Sequence, residues 1–218
     1  ATMLCYITTD ADIAAPMLQQ ALAHAANHSF NCISIDSDMS TSDTVTILAS
    51  GLAGHARIET ADDDYKTFEN ALTQLCRDMA WQIIRDGEGV SKVMRVIVDK
   101  AANQADAHAV AKTIINSPLV KTALHGGDPN WGRLVAALGR SEAQVDPDRF
   151  AIAISGITVG RDGQLQPLDD ARRQALQQAM QQNEVTLSVT LHLGDGSADW
   201  LGCDLSYDYV RINAEYTT

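Results

Sequence analysis

The sequence predicts an α/β fold, a mixed sheet layered on helices, and three observations carry that prediction. Apolar residues recur at three- and four-residue spacing in several stretches, as one face of an amphipathic helix requires. Between them lie short β-branched runs, of which Glu184 to Leu193 (EVTLSVTLHL) alternates strictly, with the two-residue period of a half-buried strand. The two kinds of segment alternate along all 218 residues without the regular repeats of a barrel or solenoid.

In chain order, the first ten residues hold, after Thr2, an apolar run short enough to be a buried strand. Asp10 can cap a helix through Ile13, Met17, Leu18, Ala21, Leu22 and Ala25, ending near Asn27-His28. Phe30 to Asp36 alternates like a strand, Ser37 to Asp43 is a hydroxyl- and acid-rich loop, and Thr44 to Ala49 is apolar but too short for periodicity to separate strand from helix. Ala61 to Tyr65 opens the clearest helix, because Phe68, Leu72, Leu75, Cys76, Met79, Ile83 and Ile84 share one face and acids crowd the positive end of the dipole. Gly87 and Gly89 stop it. Lys92 to Val98 reads as a strand and Ala105 to Asn116 as a helix ended before Pro118. Leu119 to Leu124 fits either type, His125 to Arg133 is too rich in Gly and Pro to be regular, and Leu134 to Leu138 is a short apolar helix. Phe150 to Val159 reads as a strand with a glycine break, Arg161-Asp162-Gly163 as a tight turn and Asp169 to Gln182 as a polar helix. Trp200 to Asn213 continues in strand style after the Gly194-Asp195-Gly196 turn.

A chain of this length buries a substantial core, as one large domain or two small ones, with a subdivision near 100–145 as a candidate boundary. With 45% hydrophobic and 20% charged residues it is a globular composition, and with 5% aromatics its core is aliphatic. A net charge of −12 argues against non-specific nucleic-acid binding, which needs a basic face to release counterions, and disfavours acidic partners. Cys5, Cys32, Cys76 and Cys203 form no CxxC pair and read as buried free thiols of a reducing compartment. Without a long apolar span or a signal-like start, the chain is expected to be soluble and cytoplasmic, or in an organelle matrix in a eukaryote.

Several residues could carry chemistry. Thr2 sits where an N-terminal nucleophile would sit, since a Thr with a free α-amine of pKa about 7.7–8.0 carries its own base. With Ala1 attached, that amine is acylated. Asp86-Gly87-Glu88-Gly89 reads either as a helix end with solvated acids or as a loop where bared backbone lets a substrate amine approach a carboxylate. His125 to Arg133, with Arg133 positioned to pair Asp128, reads either as a phosphate or carboxylate site or as an Arg-anchored structural loop. It matches neither a P-loop nor a dinucleotide fingerprint. Among six histidines only His24 and His28 have helical ligand spacing, without the intervening Glu of HExxH, so no metal site is expected.

Five longer stretches go beyond these local readings: ATMLCYITTDA at the start, FNCISIDSDMSTSDT at 30–44, DGEG at 86–89, NSPLVKTALHGGDPNWGR at 116–133, and the ending WLGCDLSYDYVRINAEYTT. Together, in order and over the whole chain, they resemble the β chain of the glutamate N-acetyltransferase (ornithine acetyltransferase) family of arginine biosynthesis. The resemblance implies an α/β sandwich similar to, without matching, that of N-terminal-nucleophile hydrolases. It implies a precursor that cuts itself between Ala1 and Thr2, leaving Thr2 as the nucleophile. Acetyl would pass from N-acetylornithine to Thr2 and then to glutamate, with Glu88, Asn213 and Thr218 lining the substrate pocket. No cofactor is implied, although some members of the family accept acetyl-CoA as a co-substrate. The implied partners are the α chain of the same precursor, which would supply the oxyanion hole, and a second αβ pair. Within the same resemblance, an aminopeptidase of this fold would carry Ser in place of Thr2, and a non-catalytic partner chain would need no nucleophile.

Overall fold

Where the two-residue period and the helical period take turns, strands and helices do too. The computed structural model describes residues 2–216, and among them nine strands and seven α-helices form two compact units. Of the described residues, one unit comprises 2–32 and Ser37–Gln82, the other Ile33–Asp36 and 83–216.

In the first unit, β1 (Leu4–Thr9) pairs in parallel with β3 (Thr44–Ala49), in register from Leu4 opposite Thr44 to Thr9 opposite Ala49. Cys5 and Ile7 point into the core, while Leu4, Tyr6 and Leu48 stay 57, 68 and 61% exposed. The first helix, α1 (Ala15–Asn27), starts later than its periodicity predicts. Asp10 does not cap it. Ile13 bridges to Ile58 and Ala14 donates its N–H to Ile58 O, so this stretch is committed to extended pairing, and Pro16 opens the first turn instead. The long helix is α2 (Asp63–Arg85), where Asp62 accepts the Tyr65 N–H at its start and Tyr65, Leu72, Cys76 and Ala80 are buried. Of the strand expected over Phe30 to Asp36, Ile33–Ser34 forms, while Phe30–Cys32 is a 3-10 turn closed by Cys32 N–H to Ser29 O. Its two buried residues lie two apart, which mimics strand alternation.

The second unit is built on a seven-stranded mixed sheet, which takes in β2 (Ile33–Ser34), β4 (Val93–Ala101), β5 (Ala151–Ile154), β6 (Ile157–Arg161), β7 (Gln164–Leu165), β8 (Glu184–Thr190) and β9 (Gly196–Cys203). Their order is β2-β9-β4-β8-β5-β6-β7, with β4–β8 and β2–β9 parallel and the remaining pairs antiparallel. Met94, Val96 and Val98 of β4 and Val185, Leu187 and Val189 of β8 are buried, and α3 (Gln104–Ile115) packs on β4 and β9. The helix begins where Asn103 accepts the Asp106 N–H, and Ala107, Val110, Ala111, Ile114 and Ile115 fill its buried face. The glycine break expected in Phe150 to Val159 is a hairpin turn at Ser155-Gly156, and Asp162-Gly163 makes the tight turn to β7.

Leu119 to Leu124 lies in a helix, α4 (Pro118–Gly126). The irregular segment therefore shrinks to Gly127–Asn130, after which α5 (Trp131–Arg140) starts at the cap of Asn130 on the Arg133 N–H. Arg133 does not pair Asp128, and its guanidinium donates to Leu119 O and the Thr122 hydroxyl. The helix α6 (Asp170–Met180) lies within the stretch expected to be helical, and Asp169 caps it. The largest departure is at the end of the chain. Strand β9 stops at Cys203, and Tyr207 to Glu215 form a helix, α7, rather than more strand. Its Tyr, Val and Ile residues favour strands, but the Ser206 hydroxyl accepts the Tyr209 N–H and nucleates a helix there.

Candidate functional site

Thr2 lies just before β1 and is exposed. Its hydroxyl is 2.7 Å from the Ser40 hydroxyl. That contact exists because Asp43 ties the strand start to the loop: one carboxylate oxygen accepts the Met3 N–H at 2.8 Å and the other the Ser40 N–H at 3.2 Å. Thr44 N–H donates to Met3 O, so the β1–β3 ladder continues to the residue beside Thr2. Ser40 Oγ also accepts the Ser42 N–H, and in its contact with Thr2 Oγ either hydroxyl can be the donor. The hydroxyl- and acid-rich loop predicted from sequence is thus the scaffold of the candidate nucleophile.

Glu88 and Asn213, 125 positions apart, meet in the second unit, where Asn213 Nδ2 donates to Glu88 Oε2 at 3.0 Å and to Tyr209 O at 3.0 Å. The loop carrying Glu88 reaches α7 through Gly89. With φ of +66°, and with the place of a Cβ occupied by the Tyr209 backbone nitrogen, only glycine fits there. Ser206 Oγ–H donates to Gly89 O at 2.5 Å while its oxygen accepts the Tyr209 N–H at 3.0 Å. Tyr209 OH reaches Asp36 at 2.9 Å. Thr218 and Ala1 lie outside the described residues.

Beneath this pair lies a network that local sequence reading did not find. The Asp204 side chain is fully buried. One of its oxygens accepts Ser91 N–H at 2.9 Å and Lys92 N–H at 3.0 Å, and the other accepts Ser91 Oγ–H at 2.5 Å and His125 Nδ1 at 2.7 Å. Burial pushes its carboxyl up, but the donors from Ser91, Lys92 and His125 together outweigh it and hold Asp204 below the usual carboxylate range. Ser91 gives its only proton to Asp204 and His125 turns Nδ1 to the same carboxylate, so the three do not form a nucleophile–base–orienter relay. Lys121, 3% exposed, donates to Ile35 O and Cys203 O at 2.6 Å each. Burial pushes its ammonium below the ordinary lysine range, against the opposing pull of Cys203, Asp204 and Asp36. A lysine among the apolar residues of PLVKTALHG in α4, and a Ser three residues before Tyr209, were the signals available in the sequence.

All four cysteines are buried free thiols. Among the described residues no group of three or more His, Cys, Asp or Glu side chains could hold a metal ion, and no helix is long and apolar enough to cross a membrane.

The profile of the ArgJ family matches residues 1–218. An arginine biosynthesis bifunctional protein ArgJ from Geobacillus stearothermophilus is 44% identical over 218 residues, which are 100% of this chain and 52% of that protein. A glutamate N-acetyltransferase from Methanocaldococcus jannaschii is 45% identical over 225 residues, covering 100% of this chain and 54% of that one. The chain thus spans about half the length of the curated relatives it matches. In three dimensions it superposes on a crystal structure of the arginine biosynthesis bifunctional protein ArgJ from Bacillus halodurans with a TM-score of 0.93 and 42% identity, covering 98% of this chain and 100% of that one.

Proposed function

The chain belongs to the ArgJ family, and from that premise we propose that it is the nucleophile-bearing half of an acetyltransferase of arginine biosynthesis, moving acetyl from N-acetylornithine to glutamate. The observation that carries this reading is the match, over all of this chain and about half of each relative, to proteins named glutamate N-acetyltransferase and arginine biosynthesis bifunctional protein, with a threonine hydroxyl exposed just before β1.

In this reading the Ala1–Thr2 bond is cut by the precursor itself, freeing the Thr2 amine. The amine, directly or through a water, takes the Thr2 hydroxyl proton as Oγ attacks the acetyl carbonyl of N-acetylornithine. Ornithine leaves with its nitrogen protonated, and glutamate then attacks the acetyl-Thr2 ester, returning the threonine. The reaction is ping-pong. Ser40, within hydrogen-bond reach of Thr2 Oγ, supports the orientation of that hydroxyl. Glu88 pairs an amino-acid substrate's ammonium, which is the side-chain ammonium in N-acetylornithine, whose α-nitrogen is an amide, and the α-ammonium of arriving glutamate before it gives up the proton that frees it to attack; Asn213 and Thr218 bind the substrate's carboxylate or amide. Asn213 already donates to Glu88, which supports their acting as one recognition element. Acetyl-CoA enters as an alternative acetyl donor.

The partner in this reading is the other half of the longer relatives' chain, and the working assembly is two such pairs. A two-stranded parallel sheet with an exposed apolar face supports it. Parallel sheets are covered on both faces and two strands are too few to stand alone, yet Leu4, Tyr6 and Leu48 are exposed on the β1–β3 ribbon. The test is exchange of acetyl from N-acetylornithine to labelled glutamate by the full-length protein. Labelled N-acetylglutamate is expected, and release of free acetate without it would overturn the transferase reading in favour of a hydrolase.

A further inference from the structure

We propose that the three residues Asp204-Leu205-Ser206 are a clamp that sets the distance between Glu88 and Asn213, with Asp204 and Ser206 as positioning residues for amino-acid binding. The proposal rests on the reading of Glu88 and Asn213 as substrate-binding residues.

The geometry is a short lever with two arms. Asp204 holds one flank of the Glu88 loop through three donors, Ser91 N–H, Ser91 Oγ–H and Lys92 N–H. Ser206 holds the loop next to Glu88 itself, through Gly89 O, and with the same oxygen caps α7, the helix that carries Asn213. Position 88 is therefore pinned at 89 and at 91–92, and the helix bearing its partner starts from the same anchor. Three further contacts fix the clamp: Asp204 N–H donates to Lys92 O, Leu205 N–H to Lys121 O, and Lys121 Nζ to Cys203 O. None of the residues of α7 is buried, and its side chains anchor it through Tyr209, whose hydroxyl donates to Asp36, and Tyr207, which stands edge-on to His125 at 5.6 Å. Nearest to Glu88, the cap at Ser206 and the close approach of Gly89 to Tyr209 set where the helix bearing Asn213 begins, and both depend on the clamp. A bond of this kind, lost from a partly buried site, releases one end of the lever without removing any group that touches substrate.

A double-mutant cycle in the full-length protein tests this, with the apparent KM for glutamate and kcat of acetyl exchange as readouts. Ser206→Ala is expected to raise KM about tenfold with kcat within about threefold, and Ser206→Thr, which keeps a capping hydroxyl, to restore it. In a Glu88→Gln background, where KM is already raised, Ser206→Ala is expected to add nothing further. If Ser206→Ala raises KM by the same factor in both backgrounds, or leaves it unchanged in a folded protein, the clamp is overturned while the reading of Glu88 stands. If Glu88→Gln leaves KM at the parent value, the reading of Glu88 falls and the clamp falls with it. Should Ser206→Ala fail to fold, Ser91→Ala replaces it in the same cycle, since it deletes one donor to Asp204 and keeps both backbone bonds, and the same two outcomes decide.

Discussion

Around Thr2 the anchoring bonds are exposed and run from one surface loop through Asp43 and Ser40, whereas the loop carrying Glu88 hangs on Asp204, a carboxylate whose side chain is fully buried. The two regions answer different demands. A nucleophile released by cleavage of its own preceding bond needs an accessible backbone and a hydroxyl held lightly enough to be deprotonated. A recognition pair needs a fixed separation, and fixed separations come from satisfied buried networks, in which each bond is strengthened by the low dielectric around it. On this account, substitutions near Thr2 should cost rate and spare stability, and those beneath Glu88 should do the reverse.

The sharpest contrast is Thr2→Ala in the full-length protein. Acetyl exchange is expected to fall by about three orders of magnitude or more, because no second nucleophile replaces the hydroxyl. Urea unfolding is expected to be unchanged, since only an exposed bond to Ser40 is lost. Loss of stability equal to that of a core substitution would break the comparison.

Asp204→Asn probes the other side. It should lower stability at pH 7 by about 2 kcal/mol, the order expected when a buried carboxylate with several donors is neutralised. The sign with pH follows from its lowered carboxyl. The stabilisation from the ionised form is present above the ordinary carboxylate range and is lost as pH falls through the lowered folded value. Parent and variant should therefore differ at neutral pH and converge in acid, as read by urea titrations across that range. A difference that persists unchanged in acid would show that Asp204 acts through shape and not charge.

The smallest effect is expected for Ser40→Ala, a several-fold drop in kcat with no shift in the unfolding midpoint, because an exposed hydroxyl pair contributes orientation and almost no net stability. A drop as large as that of Thr2→Ala would promote Ser40 from positioning to the chemical step.

Much of the fold was readable because its signals are local. The strict alternation of Glu184 to Leu193 became β8, and the acid-led helical face from Asp63 became α2. The errors arose where a local signal met a stronger neighbour. Ile13 reads as helical by spacing but pairs with Ile58, forty-five positions on; Tyr207 to Asn213 reads as strand by composition but is captured by the cap at Ser206. The candidate site divides in the same way. Thr2 and Glu88 stood as open local readings that the resemblance singled out, Asn213 and Thr218 came from the resemblance alone, and no period marks any of them. Asp204 meets Ser91 across 113 positions and Lys121 meets Cys203 across 82, contacts that exist only once the sheet is assembled.

The central claim is that Thr2 carries the acetyl group. Its most direct test is intact-mass and fragment analysis of the purified full-length protein before and after N-acetylornithine is added. The account predicts a Thr2-bearing chain with Thr2 at its N-terminus and a gain of about 42 Da, one acetyl, on that threonine. An unchanged mass under turnover conditions, or an acetyl group on any other residue, would contradict it.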